Sequence, residues 1–188
     1  MKIFVRSILA SVTLALLLTG CSQAKDPNAL PNDGLVKECS EIKVDKRVTT
    51  GISLECLGTG QQTLVQESLR GPMLVNVYGS WCWPCRAEIP HFREFYDKYK
   101  DKVQMIGIAV EEAQKSDTTD FIKGMGIKWP SLYDPDGRTR MNIGMGVPVT
   151  IFIDAKGNIA GKIVGAVPDM QTLVEQTNKY LKLNLQKK

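Results

Sequence analysis

Cys82 and Cys85 are separated by two residues, Trp83 and Pro84, a spacing at which a small disulfide ring can form and open again. The apolar run of residues 73–78 before the pair predicts a buried strand. After the pair, apolar residues recur at steps of three and four, which predicts a helix with one buried face: Ile89, Phe92, Tyr96 and Tyr99. The pair is therefore expected at a strand-to-helix turn, with Cys82 at the start of the helix.

This position favours thiol chemistry at Cys82. Unpaired N–H groups and the helix dipole stabilise a negative charge at a helix N-terminus, and the thiolate is the nucleophile of disulfide exchange. A structural crosslink would gain little from so small a loop, and a zinc site would need more ligands. The motif therefore favours a redox-active pair, Cys82 and Cys85, that needs no metal and no cofactor other than its own disulfide.

The amino terminus has the pattern of a bacterial lipoprotein leader. Lys2 and Arg6 precede the apolar residues 8–18, a stretch too short to span a bilayer comfortably. Leucine, threonine, glycine and cysteine at residues 18–21 resemble a lipobox, in which Cys21 receives a diacylglyceryl group and becomes the mature N-terminus. Two acyl chains suffice for stable anchoring. The alternative is an ordinary signal peptide that is cleaved nearby.

Three segments are expected along the chain. Residues 1–20 are predicted to be the signal peptide, residues 21–37 a polar flexible tether, and residues 38–188 one folded domain. The expected location is the outer face of the cell membrane or the periplasm. The net charge of +4 is too small to favour a nucleic-acid partner.

Cys39 and Cys56 form a second candidate pair. Disulfides persist outside the cytoplasm, and the two cysteines flank a predicted hairpin of residues 43–45 and 52–56. As a structural disulfide, a loop of this size would stabilise the fold by roughly 3 kcal/mol. The alternative, a second redox pair that exchanges with the first, stays open because sequence does not establish connectivity.

The rest of the chain alternates predicted strands and helices. Residues 103–110 and 149–154 are predicted buried strands, and residues 159–164 are the predicted antiparallel partner of the second. Residues 117–123 predict a short helix, and Asp169 is expected to cap a last helix. This order indicates an α/β sandwich with a mixed sheet.

The sequence resembles membrane-tethered thioredoxin-like proteins of the TlpA/ResA type. The resemblance covers about residues 61–180. Four segments carry it: residues 74–90 around the cysteine pair, Tyr-Asp-Pro-Asp-Gly at 133–137, Gly-Val-Pro-Val-Thr at 146–150 followed by Phe-Ile-Asp, and the turn at Gly157. It implies a thioredoxin fold, a mixed sheet flanked by helices, with an N-terminal hairpin and a central insertion at about residues 111–129.

The resemblance also implies roles for individual residues. Cys82 matches the attacking cysteine and Cys85 the resolving cysteine. Pro148 matches a cis-proline that leaves the backbone of Val147 available to an extended partner peptide; the alternative is a trans proline that opens a strand. Trp83, between the cysteines, is expected to be exposed, where it tunes the redox potential or contacts a partner.

Glu88 is the candidate for proton transfer. In thioredoxins the strand position that matches Asn76 is a buried aspartate that helps to move the proton of the resolving cysteine. Glu88 lies one helical turn after Cys85 on the same face, and burial would raise its pKa so that it exchanges a proton with Cys85 at neutral pH. The alternative is a first-turn glutamate that only complements the helix dipole.

The implied function is an extracytoplasmic thiol-disulfide oxidoreductase that acts on protein thiols and disulfides. ResA-like proteins reduce apocytochrome c before haem attachment, whereas some Gram-positive relatives form disulfides in secreted proteins. We expect a reductant, which needs a membrane thiol-disulfide electron donor in an oxidising compartment; an oxidase would need an acceptor there.

Two other classes fit the sequence less well. A copper chaperone on the same fold would have a wider cysteine spacing and a distant histidine ligand. A thiol peroxidase would have Thr or Ser three residues before the reactive cysteine, where Gly79 stands.

Overall fold

The computed structural model describes residues 35–58, 62–144 and 146–186. The predicted leader, most of the predicted tether and the predicted lipidation site Cys21 lie outside these residues. The described chain alternates strands and helices as expected, with a 3-10 turn at Gln66–Ser68. The strands are β1 (Ser53–Cys56), β2 (Thr63–Val65), β3 (Met73–Tyr78), β4 (Gln104–Val110), β5 (Ser131–Asp134), β6 (Val149–Ile153) and β7 (Ile159–Val164). The helices are α1 (Trp83–Tyr99), α2 (Lys115–Gly124), α3 (Arg140–Ile143) and α4 (Met170–Leu181).

The strands form one mixed sheet in the order β2-β1-β5-β4-β3-β6-β7. Strand β3 pairs in parallel with β4 and antiparallel with β6, and β4 pairs in parallel with β5. The β3-α1-β4 and β6-β7-α4 units are the two halves of a thioredoxin fold. The predicted fold class is therefore confirmed.

The central strand β3 is apolar apart from Asn76, because both faces of the sheet are covered. All six of its residues are buried. Leu74 and Tyr78 pack on the face that also carries the buried side of α1, whereas Val75 and Val77 belong to a second apolar cluster on the opposite face. This arrangement holds the carboxyl end of β3, where the cysteine motif begins, between two packed layers.

The two long helices begin where the sequence indicates. Pro84 lies in the first turn of α1, where no backbone N–H is needed. Asp169 caps α4, since its Oδ1 accepts a hydrogen bond of 2.7 Å from the N–H of Thr172, and this prediction is confirmed. Within the described part of the chain, no helix is long and apolar enough to cross a membrane.

The N-terminal hairpin exists, but its predicted pairing is wrong. Strand β1 pairs with β2, with Leu54 opposite Leu64, and not with residues 43–45. That segment instead follows residues 68–70, through a bridge between Val44 and Leu69. Leu54, Leu64 and Leu69 are all buried, so both observed pairings place leucine side chains in the core.

The predicted central insertion, residues 111–129, contains α2 and leads into β5. Strand β5 joins the sheet between β4 and β1. Strand β5, which follows the insertion, therefore connects the N-terminal hairpin to the rest of the sheet.

Candidate active site

Cys82 and Cys85 form a disulfide at the start of α1, with an S–S distance of 2.08 Å. Cys82 is the N-cap residue of the helix, and its Sγ accepts a hydrogen bond of 3.2 Å from the N–H of Cys85. Cys85 is fully buried, whereas 4% of Cys82 is exposed. Of the two sulfur-bearing residues, solvent therefore reaches only Cys82, the one predicted to attack.

Two exposed tryptophans flank Cys82. Trp81 is 55% exposed and Trp83 is 64% exposed, as expected for Trp83. The Nε1–H of Trp81 donates a hydrogen bond of 3.0 Å to the carbonyl of Glu111. This contact holds Trp81 in place, while Trp83 stays open to solvent.

Val147 and Pro148 lie beside this site. The peptide bond between them is cis. Val149 is opposite Val77 in the sheet, so the preceding Pro148 lies at the carboxyl end of β3, where the chain continues into the cysteine motif. Pro148 is buried and Val147 is half-buried against the core that contains Cys82.

Glu88 is almost fully buried, one helical turn after Cys85, with 1% of its surface exposed. Its Oε1 accepts a hydrogen bond of 2.8 Å from Nδ2 of Asn76, and its Oε2 accepts one of 2.9 Å from the N–H of Val167. Burial raises the pKa of Glu88 to about 7, although both hydrogen bonds favour the ionised form. A carboxyl group with this pKa can gain or lose a proton near neutral pH.

The other two cysteines are also bonded to each other. Cys39 and Cys56 are joined at an S–S distance of 1.96 Å, and both are fully buried. They belong to the apolar cluster on the sheet face opposite α1, whereas Cys82 and Cys85 belong to the cluster under α1. The structure does not bring the two pairs together.

Three residues near the site were missed in the sequence analysis: Ser80 and Glu112, which are hydrogen-bonded to each other, and Val167, which is hydrogen-bonded to Glu88. Ser80 follows β3 and Glu112 follows β4, and the carboxyl ends of neighbouring parallel strands meet at one edge of the sheet. This signal was present in the sequence. The contact between Val167 and Glu88 has no local signal, because 79 residues separate them. In the described ranges, no group of three or more His, Cys, Asp or Glu side chains is arranged to hold a metal ion.

A cysteine pair at the N-terminus of the first core helix of a thioredoxin fold, with a cis-proline at the adjacent strand, defines a thioredoxin-like protein. The family model described as Redoxin matches residues 43–181. The chain belongs to the Redoxin family.

Relatives with known names share most of this domain. The thiol-disulfide oxidoreductase ResA of Bacillus thuringiensis (strain Al Hakam) is 31% identical over 119 residues, 62% of this chain and 65% of that protein. The thiol:disulfide interchange protein DsbE of Pseudomonas fluorescens biotype C is 35% identical over 123 residues, 64% of this chain and 67% of that protein. The match to ResA thus spans slightly less than two thirds of that relative.

A solved structure supports the fold. The structure of a DsbF homologue from Corynebacterium diphtheriae is similar to this chain with a TM-score of 0.57 and 28% sequence identity. The similarity covers 73% of this chain and 91% of that one.

Proposed function

We propose that this protein is an extracytoplasmic thiol-disulfide oxidoreductase that reduces disulfides in partner proteins. The observation that carries the proposal is the Cys82–Cys85 disulfide at the N-terminus of α1, where only Cys82 is reached by solvent. The names of the ResA and DsbE relatives support the same class of reaction. The pair itself carries two electrons, so the reaction needs no separate cofactor and no metal.

The reaction has two exchange steps. In the reduced protein, the thiolate of Cys82 attacks one sulfur of the partner disulfide, forms a mixed disulfide and expels the other partner sulfur as a thiolate, which takes a proton. Cys85 then loses its proton and attacks Sγ of Cys82, which releases the second partner thiol. The partner gains two electrons and two protons, and the Cys82–Cys85 disulfide forms again.

Glu88 is the proposed proton acceptor for Cys85. Both residues are buried on the same face of α1, and Asn76 on the neighbouring strand cannot ionise. Because burial raises the pKa of Glu88 to about 7, a useful fraction is ionised at neutral pH and able to accept the proton.

The proposed partner surface surrounds Cys82. Trp83 supplies an exposed aromatic face, and Val147 and Pro148 supply a backbone edge at the adjacent strand, to which an extended peptide can add. A partner peptide on this surface would present its disulfide to Cys82, the solvent-reached end of the pair.

The proposed direction is reduction, with apocytochrome c as the proposed substrate and a membrane thiol-disulfide protein as the electron donor. The proposed location is the outer face of a membrane, with the domain held by a lipid on Cys21. The buried Cys39–Cys56 disulfide supports an extracytoplasmic domain, since such crosslinks are rare in the cytoplasm. We assign this second pair a structural role.

The reduction potential of the Cys82–Cys85 couple tests the direction. Equilibration with glutathione should give a value nearer thioredoxin, about −270 mV, than DsbA, about −120 mV. Cys85→Ser should trap mixed disulfides with a partner, because the resolving thiol is absent, and Cys82→Ser is the control that should trap none. A value near −120 mV together with oxidative refolding of a reduced substrate would show that the protein forms disulfides instead.

A further inference from the structure

Glu112 is a buried acid in the active-site loops that the proposed exchange steps do not use. It lies two residues after β4 and is 5% exposed. Its Oε1 accepts a hydrogen bond of 2.5 Å from the N–H of Ser80, and its Oε2 accepts one of 2.5 Å from the hydroxyl of Ser80. Both carboxylate oxygens are therefore directed at one residue, which precedes Cys82 by two positions.

Ser80 is held from other directions as well. Nη2 of Arg86 donates a hydrogen bond of 2.6 Å to the carbonyl of Ser80. The neighbouring Trp81 donates to the carbonyl of Glu111, and the N–H of Cys82 donates to the carbonyl of Gly79 at 3.0 Å. The loop that leads into Cys82 is thus fixed to the end of β4 and to the first turn of α1.

The backbone at the end of β4 has an unusual conformation next to the contact between Glu112 and Ser80. Glu111 has a φ of 56°, a left-handed conformation that is uncommon for a residue with a side chain. Such a conformation persists where the surrounding structure holds it. Here the carbonyl of Glu111 meets Trp81, its carboxylate pairs with Arg140, and the next side chain, Glu112, meets Ser80.

The charges around Ser80 have opposite effects on the stability of a thiolate at Cys82. The carboxylate of Glu112 opposes a thiolate at Cys82, and the guanidinium of Arg86 favours it. Asp117 and Asp120 of α2 line the same cavity as Ser80 and Arg86 and add to the negative side. A stabilised thiolate makes a cysteine couple more oxidising, as the strong oxidant DsbA illustrates, so a buried carboxylate here keeps the couple reducing.

We propose that Glu112 is a positioning residue that fixes the loop before Cys82 and, through its buried negative charge, holds the Cys82–Cys85 couple at a reducing potential. This inference rests on the proposed thiol-disulfide exchange. It assigns to Glu112 a role in setting the direction of that exchange.

Glu112→Gln tests the effect of the carboxylate charge while keeping the shape of the side chain. The amide oxygen can accept from the N–H of Ser80, and the amide nitrogen can donate to its hydroxyl, so the loop contact survives without the charge. The equilibrium with glutathione should shift about tenfold toward the Cys82–Cys85 dithiol, equivalent to about 30 mV, since the buried carboxylate contacts Ser80, two residues before Cys82, and is only partly screened. Cys82 should also react with iodoacetamide at a lower pH than in the wild type.

Glu111→Gln is the matched control. It removes the same charge one residue away, from a side chain that pairs with Arg140 instead of Ser80. Its equilibrium with glutathione should stay within about threefold of the wild-type value, because a partly exposed charge is better screened. Equal shifts in the two variants would overturn the specific role of Glu112.

Arg86→Gln keeps the proposal testable if the Glu112 variant does not fold. Loss of the positive charge of Arg86, which contacts Ser80, should move the equilibrium with glutathione in the opposite direction, toward the Cys82–Cys85 disulfide. A Glu112→Gln value within twofold of the wild type, or an Arg86→Gln shift toward the dithiol, would overturn the inference. A wild-type protein with no reversible Cys82–Cys85 couple would instead overturn the proposed function.

Discussion

Cys82 and Cys85 belong to one helical turn, yet their surroundings give them different chemistry. Cys82 lies at the helix N-terminus, where the dipole favours a thiolate and solvent reaches the residue. Cys85 lies behind it, fully buried, with Glu88 one turn further along the helix. Cys82, the proposed attacking residue, therefore keeps a small exposed fraction, whereas Cys85, the proposed resolving residue, is fully buried with an acid nearby.

Glu88 should make stability depend on pH. Its pKa rises from 4.5 in a model carboxyl group to about 7 in the fold, so the folded state retains the proton over this range while the unfolded state releases it. The stabilisation is fully present below about pH 4.5 and is lost as the pH rises through about 7, in total roughly 3 kcal/mol. Urea unfolding of the oxidised protein from about pH 4 to about pH 8 measures this loss, which Glu88→Gln should abolish.

The Gln variant should still fold, because the site can satisfy an amide. Oδ1 of Asn76 is buried without a hydrogen-bond partner, so a flipped Asn76 amide can accept from the new Nε2. Glu94→Gln, at an exposed position of the same helix, is the control and should keep the wild-type pH dependence. In the exchange reaction, Glu88→Gln should slow the resolving step. An unchanged pH profile in both assays would leave Glu88 as a helix-start acid without a role in proton transfer.

The elements divide the cysteines between two environments. Cys82 and Cys85 lie at the start of α1 on one face of the sheet, whereas β1 and the segment before it carry Cys39 and Cys56 on the other face. The β1 strand lies between β2 and β5, so the second disulfide joins the N-terminal segment to the middle of this half of the sheet. This placement is suited to a crosslink that stabilises the added hairpin.

Removing that crosslink should cost stability and leave the redox couple unchanged. The double substitution Cys39→Ala and Cys56→Ala should lower the free energy of unfolding by roughly 3 kcal/mol, because it frees a loop in the unfolded chain. The potential of Cys82–Cys85 should match the wild type, since the pairs lie on opposite faces. Mass mapping under graded reductant should show Cys82–Cys85 opening first; simultaneous opening of both pairs would indicate an internal relay.

On the scale of the whole molecule, the candidate active site lies at one edge of the sheet. The carboxyl ends of β3 and β4 meet there, beside the start of β6 with Val147 and Pro148. Exposed Trp81 and Trp83 make this edge apolar toward solvent. This edge is the surface that we propose contacts partner proteins.

The proposed membrane attachment depends on Cys21. In a bacterial host with lipoprotein processing, the full chain should incorporate labelled palmitate and sediment with membranes, because two acyl chains give stable anchoring. Cys21→Ala should lose the label and leave the membrane fraction, whereas Ser22→Ala should behave as the wild type. An unlabelled wild-type protein that is released into the soluble fraction would indicate an ordinary signal peptide.

Local sequence determined the spacing of the cysteine pair and the position of most of the helices and strands. The spacing of Cys82 and Cys85, the apolar run of β3 and the stripe of α1 are patterns within about one element length, where periodicity carries the signal. Asp169 likewise marks the start of α4 through a contact only three residues long. The candidate nucleophile and its position were therefore predictable.

Tertiary structure decided which hairpin forms and which hydrogen bonds hold the two buried acids, although the strand order already places Ser80 and Glu112 at one edge of the sheet. Strand β1 pairs with β2 and not with residues 43–45, although both are local hairpin candidates, and the observed pairing sets the buried Leu54 opposite Leu64. Glu88 is held by Val167 and Glu112 by Ser80, across 79 and 32 residues respectively. Contacts this far apart leave no periodic trace in the chain, and the desolvation that raises the pKa of Glu88 exists only once the core has closed around it.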